Sequence, residues 1–196
     1  MGTITKFIYP VTVGVWVSGI FGMNRFGIDY GSMRALVALS NKQLAEYIWH
    51  FLKDNGAENV QLVHHSKDAV SRMRDFDFTH FFIGHHLEEF GGPDFARFVR
   101  MCNGPVAEAP IVMLMSNPDR EKVIDARDSG VTEIMSIPVT GNQLKDRLSH
   151  IAARKKEFIR SSTYIGPCRR RVDALGYKGA ERRSSMRAAT LQGARK

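Results

Sequence analysis

From about residue 34 onward, apolar positions alternate between two rhythms. Residues 35–39 (Ala-Leu-Val-Ala-Leu) form a short unbroken apolar run, the pattern of a strand buried on both faces. Ser40 and Asn41 then offer helix-capping side chains. Leu44, Ile48, Phe51 and Leu52 recur at helical spacing, and Asn55-Gly56 supplies a stop. The alternation repeats four more times. Strands are predicted over residues 60–63, 78–83, 110–115 and 131–136. Helices are predicted from Ser66, read as a cap, to Met73, over residues 93–102, from Asn117-Pro118-Asp119 to Ser129-Gly130, and over residues 141–153. A loop over residues 84–92 follows the third strand.

Five short apolar strands alternating with five helices imply βαβ units on a parallel sheet covered on both faces. Right-handed crossovers then give an α/β doubly wound, flavodoxin-like three-layer sandwich with five strands. Ligands of such sheets sit at the C-terminal ends of the strands. That rim here comprises residues 39–40, 64–65, 82–86, 115–116 and 136–137.

The first residues do not fit this rhythm. Residues 7–22 carry no charge and include Pro10, Gly14 and Gly19. A spanning helix needs about 20 mostly apolar residues. A secretory signal needs a basic start and a small-residue cleavage site. Lys6 stands alone and no such site follows. Val11, Val13, Val15 and Val17 alternate as in a strand. An edge strand, a leader, and a translation start at Met23 or Met33 all remain open. The chain therefore divides into an apolar leader (residues 1–29), a domain (30–153) and a tail (154–196).

Composition sharpens the tail. The chain has 196 residues, 43% hydrophobic and 24% charged, which suits one soluble domain. Two distant cysteines exclude a disulfide scaffold and fit a reducing cytoplasm. The net charge is +8. From Arg154 onward, thirteen lysines and arginines face three acids, so the tail carries +10 and the first 153 residues about −2. Any anionic partner is sought mainly by the tail.

The element order, the strand Pro110-Ile-Val-Met-Leu and the run Asp125-Ala-Arg-Asp-Ser-Gly-Val-Thr-Glu-Ile-Met-Ser-Ile-Pro138 resemble response-regulator receiver domains of the CheY type over residues 30–153. The tail run Phe158-Ile-Arg-Ser-Ser-Thr-Tyr-Ile-Gly-Pro-Cys-Arg-Arg-Arg171 and Gly176-Tyr-Lys-Gly-Ala-Glu-Arg-Arg183 resemble the tails of stand-alone alphaproteobacterial receivers. The resemblance implies phosphorelay signalling in a two-component pathway. Receiver phosphorylation needs clustered carboxylates to hold Mg²⁺, an Asp nucleophile, a hydroxyl and a Lys. On this resemblance the acidic pair falls on Leu39 and Ser40, and the phosphoacceptor on Phe82. The hydroxyl falls on Met115, with Ser116 one residue later. The Lys falls on Ile137, before the retained Pro138, and the aromatic switch on Ile134. These apolar replacements read as a degenerate site, a pseudo-receiver, with no Mg²⁺ and no catalysis expected.

Two histidine pairs, His64-His65 and His85-His86, lie near the rim. Neighbouring residues on a strand point to opposite faces, so each pair offers one ligand. The first strand of this fold usually separates the second and third, so no metal site is expected. No catalytic triad, phosphate-binding glycine loop or zinc signature appears either.

The tail holds an internal repeat. Tyr164-Ile-Gly166-Pro-Cys-Arg169-Arg170 and Tyr177-Lys-Gly179-Ala-Glu-Arg182-Arg183 share Tyr-x-Gly-x-x-Arg-Arg, offset by 13 residues, and Arg171 extends the first copy. Arginine contacts phosphate and the guanine edge bidentately, and arginine and tyrosine planes stack on bases. Similar tails of CheY-like proteins bind cyclic di-GMP, so the resemblance implies a cyclic-dinucleotide reader that is disordered when free. Cys168 and Ala180 depart from the acid and proline common in such tails. The expectation is a cytoplasmic, non-enzymatic adaptor whose domain docks on a signalling protein. The alternative is a phosphorylation-independent interaction module whose tail is an electrostatic tether to nucleic acid or an anionic membrane. That reading ranks below the nucleotide.

Overall fold

In a computed structural model, residues 27–154 and 156–169 are described. Five strands, β1 (Arg34–Ala38), β2 (Asn59–Val63), β3 (His80–Gly84), β4 (Ile111–Met115) and β5 (Glu133–Ser136), form one parallel sheet. Their order is β2-β1-β3-β4-β5, which places β1 between β2 and β3. Five helices alternate with them: α1 (Lys42–Asp54), α2 (Ser66–Asp75), α3 (Gly92–Met101), α4 (Arg120–Asp128) and α5 (Gly141–Ala153). A 3₁₀ turn over Pro105–Glu108 precedes β4.

The apolar runs that predict strands are also what divide the core. Alternate strand residues face opposite layers. Ala35, Val37, Phe82, Val112 and Leu114 pack on one face with Ala45, Ile48 and Leu52 of α1 and Leu144 and Leu148 of α5. Leu36, Ala38, Phe81, Ile83, Ile111 and Met113 pack on the other with Ala69, Phe95, Val99 and Ala126 of α2, α3 and α4. Two buried faces explain why the strands read as continuous apolar runs. Ile28, Tyr30 and Met33 also join the first cluster, so burial begins before β1.

Three helix starts are those the sequence marks. Asn41 Oδ1 accepts the Leu44 amide at 3.0 Å, and Asp119 Oδ1 accepts that of Lys122 at 2.8 Å. Thr140 and Gln143 form a reciprocal capping box. Ser66 is different. It is the first residue of α2 rather than its cap, and its hydroxyl donates to the Glu88 carbonyl at 2.7 Å. The predicted third and fifth strands each begin two residues later than expected.

The first part of the basic tail is structured. β6 (Phe158–Arg160) and β7 (Ile165–Pro167) form an antiparallel hairpin. It docks on the α4–β5 turn through two glycines. A Cβ on Gly166 would lie 2.8 Å from Gly130 Cα, and one on Gly130 would lie 2.5 Å from the Ile165 carbonyl oxygen. Gly130 also has φ +85°, a conformation other residues rarely adopt. The leader read at residues 7–22 lies outside the described residues. Among the described residues no helix is long and apolar enough to cross a membrane.

Candidate functional site

The C-terminal rim is built where β1 meets β3. Ala38 pairs with Ile83, which brings Leu39 level with Gly84. Leu39 is 2% exposed. A Cβ on Gly84 would sit 3.2 Å from Leu39 Cδ2 and 3.0 Å from the His86 carbonyl oxygen. The space into which a side chain at the end of β3 would project is therefore filled by Leu39 and by backbone.

This register corrects the placement of the phosphoacceptor position on Phe82. Phe82 is fully buried, two residues before the strand ends, in the cluster that holds Val37 and Val112. The strand-end residue facing Leu39 is Gly84. The signal was present in the sequence, since the apolar run of β3 ends at Ile83 and a glycine follows. The other positions singled out from the sequence are Met115, Ile137, Ser40 and Ile134. Met115, 1% exposed, packs on the α2/α3/α4 face. Ile137 packs on the α1/α5 face and donates its amide to the Met115 carbonyl at 3.0 Å. The Ser40 hydroxyl donates to the His86 carbonyl at 3.1 Å. Ile134 is partly buried against the second cluster.

A loop closes the rim. Residues 85–91 cross the end of β1 and reach α2. His65 and Glu88 pair as a parallel bridge, with His65 Nδ1 and Glu88 Oε2 3.1 Å apart. The Ser66 hydroxyl holds the Glu88 carbonyl and accepts the Phe90 amide at 3.3 Å. Glu89 accepts the Lys67 amide at 2.9 Å and pairs with the Lys67 ammonium at 2.8 Å. That contact lowers the Glu89 carboxyl from its ordinary value and raises Lys67. Glu89, with φ +78°, thus caps α2 from another element. As expected, β1 lies between β2 and β3, which lead into the two histidine pairs, while the loop carries Glu88 to His65.

The histidines do not converge on one point. His64 Nδ1 lies 2.9 Å from the Leu39 carbonyl, so that nitrogen carries the proton. The His85 and His86 rings meet edge to face at 5.0 Å. Burial, then the neighbouring His86, lowers the His85 pKa. Among the described residues no group of three or more His, Cys, Asp or Glu is placed to hold a metal. The Mg²⁺ that receivers use needs carboxylate oxygens. Leu39, Gly84, Met115 and Ile137 offer none, and the Ser40 hydroxyl is already engaged. The rim residues do not fit that ion.

The second candidate site is the first tail repeat. The Arg169 guanidinium lies 3.6 Å from the centre of the Tyr164 ring, and its Nη1 is 2.8 Å from Asp128 Oδ1. The Tyr164 hydroxyl donates to the Pro167 carbonyl at 2.9 Å. A Cβ on Gly166 would fall 2.6 Å from that hydroxyl. The Tyr-x-Gly-x-x-Arg spacing thus folds into one stacked corner. Arg170, Arg171, Tyr177, Gly179, Arg182 and Arg183 lie outside the described residues. Asp128, which anchors Arg169, was not singled out from sequence, where it reads as an ordinary acid near a helix end.

No family model matches the chain. A chemotaxis protein from Vibrio cholerae, CheY-3, is 23% identical over 123 residues, covering 63% of this chain and 94% of that protein. Among solved structures, a two-component response regulator from Clostridium difficile has a TM-score of 0.57 at 18% identity, covering 64% of this chain and 99% of that one. Chemotaxis response regulator CheY4 of Vibrio cholerae has a TM-score of 0.56 at 20% identity, over 61% of this chain and 98% of that one. In strand order, helix placement and extent, this chain has the fold of a response-regulator receiver domain.

Proposed function

We propose that this chain is a receiver-type signalling adaptor that works without phosphoryl transfer, is not an enzyme, and carries a tail that reads an anionic nucleotide such as cyclic di-GMP. The observation that carries the first half is Leu39 packed against Gly84 beneath the loop over residues 85–91. A phosphorylatable rim must admit Mg²⁺ and a phosphoryl group beside a carboxylate. Here that volume holds hydrocarbon and backbone. Signalling then passes through protein docking on the domain surface in the cytoplasm. The test is incubation with acetyl phosphate or beryllofluoride and Mg²⁺, followed by amide spectra. Spectra unchanged at the rim are expected, and saturable shifts at residues 39, 84 and 115 would overturn the reading.

The tail half is supported by the Tyr164–Arg169 stack. It presents a guanidinium plane already ordered on an aromatic ring, a surface on which a guanine base could stack. A second Tyr-x-Gly-x-x-Arg-Arg copy suits a ligand with two equivalent halves. Arg→Lys at Arg169 or Arg182 is expected to abolish nucleotide binding, because lysine lacks the planar fork. A second reading is favoured by a different contact. Arg169 is paired with Asp128 and Gly166 is fitted against Gly130. Those bonds suit a corner whose task is to anchor the tail, leaving the residues beyond it as an electrostatic tether. A tether tolerates Arg→Lys and weakens smoothly with salt.

A further inference from the structure

At the other end of the sheet, between α5, the segment before β1 and the β6–β7 hairpin, lies a cavity of about 370 Å³. That size falls within the range of small-molecule pockets. Ile28, Met33, Leu148, Ile151 and Phe158 make its walls largely apolar. One end is not apolar. Arg100, Thr132 and Lys156 meet there.

Arg100 is 1% exposed and, among the described residues, makes no ion pair with a carboxylate; the nearby Glu108 favours its charge, and its guanidinium lies 5.4 Å from the centre of the Phe158 ring. Its Nε–H donates to Gly130 O at 2.9 Å. Its two Nη1 protons go to Ala107 O and Ala109 O, both at 2.7 Å, and one Nη2 proton goes to Thr132 Oγ1 at 3.3 Å. A guanidinium has five N–H donors, so one Nη2–H is left over. Thr132 Oγ1 already accepts from the Ile111 amide at 3.1 Å and from Arg100, so its own O–H is left to donate, with no acceptor among the described residues. Lys156 Nζ stands 3.5 Å from the Thr132 carbonyl and shares Glu133 with Arg147 and His150. Burial lowers Arg100 to about 10, so it remains charged at neutral pH.

The polar end therefore offers a buried cation with no ion-pair partner among the described residues, two spare donors and an ammonium. Of the acids that line the cavity, Asp29 is already bonded to Ser32, and Glu108, which favours the Arg100 charge from a distance, is exposed. His80, partly buried and neutral at pH 7, lines it as well. We propose that this cavity binds a small organic monoanion with an apolar body, an alkyl or arylalkyl carboxylate, its head group held by Arg100, Thr132 and Lys156 and its body against Ile28, Met33, Ile151 and Phe158. One buried cation without an ion-pair partner among the described residues matches one negative charge. Buried polar groups without partners are costly, and a carboxylate accepts from all three donors. Because Phe158 and Pro167 form one wall, occupancy also holds the hairpin in place.

The test uses the full chain, ¹⁵N-labelled, titrated with sodium octanoate and in parallel with octan-1-ol, which has the same body without the charge. Saturable amide shifts are expected at residues 28, 132, 151 and 158 with octanoate, and an at least tenfold weaker response with octanol. Ala152→Trp, on the exposed side of α5 at the cavity wall, is expected to abolish the octanoate response. Lys156→Gln should weaken it roughly two- to fivefold, as for a partly exposed ion pair. No saturable shift at millimolar octanoate, equal binding of octanol, or an unchanged response in Ala152→Trp would each overturn the proposal.

Discussion

Replacing Gly166 with alanine perturbs the hairpin at its tightest point. The added Cβ would lie 2.6 Å from the Tyr164 hydroxyl and 2.8 Å from Gly130 Cα. The hydroxyl is the far end of a side chain and can swing away, at the loss of its bond to the Pro167 carbonyl. Gly130 Cα is backbone, held by the Arg100 guanidinium on its carbonyl, and cannot. Carbon atoms pack at about 3.5–4.0 Å, so the hairpin must retreat by roughly 0.7 Å or more. Overpacking of this kind costs about 1–3 kcal/mol. The contacts put at risk are the Arg169–Tyr164 stack, worth about 0.5–1 kcal/mol, and the part-exposed Arg169–Asp128 pair, worth at most about 1. The cost thus equals or exceeds what holds the hairpin corner down, and the hairpin should open while the sheet stays folded. Amide hydrogen exchange reads this directly. Ser161 and Cys168, whose amides bond to Tyr164 and Glu157 carbonyls, should exchange about 5- to 100-fold faster, since each 1.4 kcal/mol is tenfold. Phe81 and Leu39 should keep their protection. Unchanged exchange at Ser161 and Cys168 would refute the claim that the two glycines dock the hairpin.

Other outcomes follow from the same packing. Arg100→Met removes the donor from three buried carbonyls, those of Ala107, Ala109 and Gly130, each worth about 1–3 kcal/mol when left unpaired. Part of that is offset because a buried charge is also removed, so a net loss of about 3 kcal/mol is expected in urea unfolding; a loss below about 1 would contradict the role given to Arg100. Burial lowers His80 to about 4, below its ordinary value of 6.5. The unfolded chain then binds the extra proton between those values, so the stability is complete above pH 6.5 and is lost as pH falls towards 4, by up to about 3 kcal/mol. His80→Gln should flatten the urea midpoint between pH 7 and 4.5, and an equally steep profile in both proteins would exclude His80 as the cause. Gly84→Asp places a carboxylate at the end of β3 but pushes it into Leu39 and the His86 carbonyl. It should lower the melting temperature and still take no label from acetyl phosphate and Mg²⁺; labelling would mean that the rim needs only an acid.

Much of the fold was legible because local rules and tertiary packing agree. β1, β3 and β4, buried on both faces, leave nearly unbroken apolar runs, and Asn41, Asp119 and Thr140 cap helices with their own side chains. α5 matched its predicted bounds for that reason. What escaped depends on residues far apart in the chain. Ser40 bonds His86, and Ser66 bonds Glu88, so the loop that covers the rim leaves no local signature. Glu89 caps α2 from 22 positions away, which turned Ser66 from a cap into a clasp. The shift from Phe82 to Gly84 arose because a buried run fixes a strand but not which of its residues meets the rim. The hairpin was hidden by composition. Its three-residue strands lie among serines and basic residues, β6 itself ends in arginine, and its docking relies on Gly130 rather than on apolar periodicity. Arg100 looked like one more basic residue on α3 until its carbonyl partners were in place.

The most direct test of the proposed nucleotide-reading tail is calorimetric titration of the full chain with cyclic di-GMP at moderate salt, beside a chain ending at Arg169. That end point keeps the hairpin and its Asp128 contact while removing Arg170, Arg171 and the second repeat. Micromolar or tighter binding by the full chain, lost in the shortened one, is expected. No heat in the full chain would contradict a nucleotide-reading tail, and equal heat in both would contradict the role given to the second repeat.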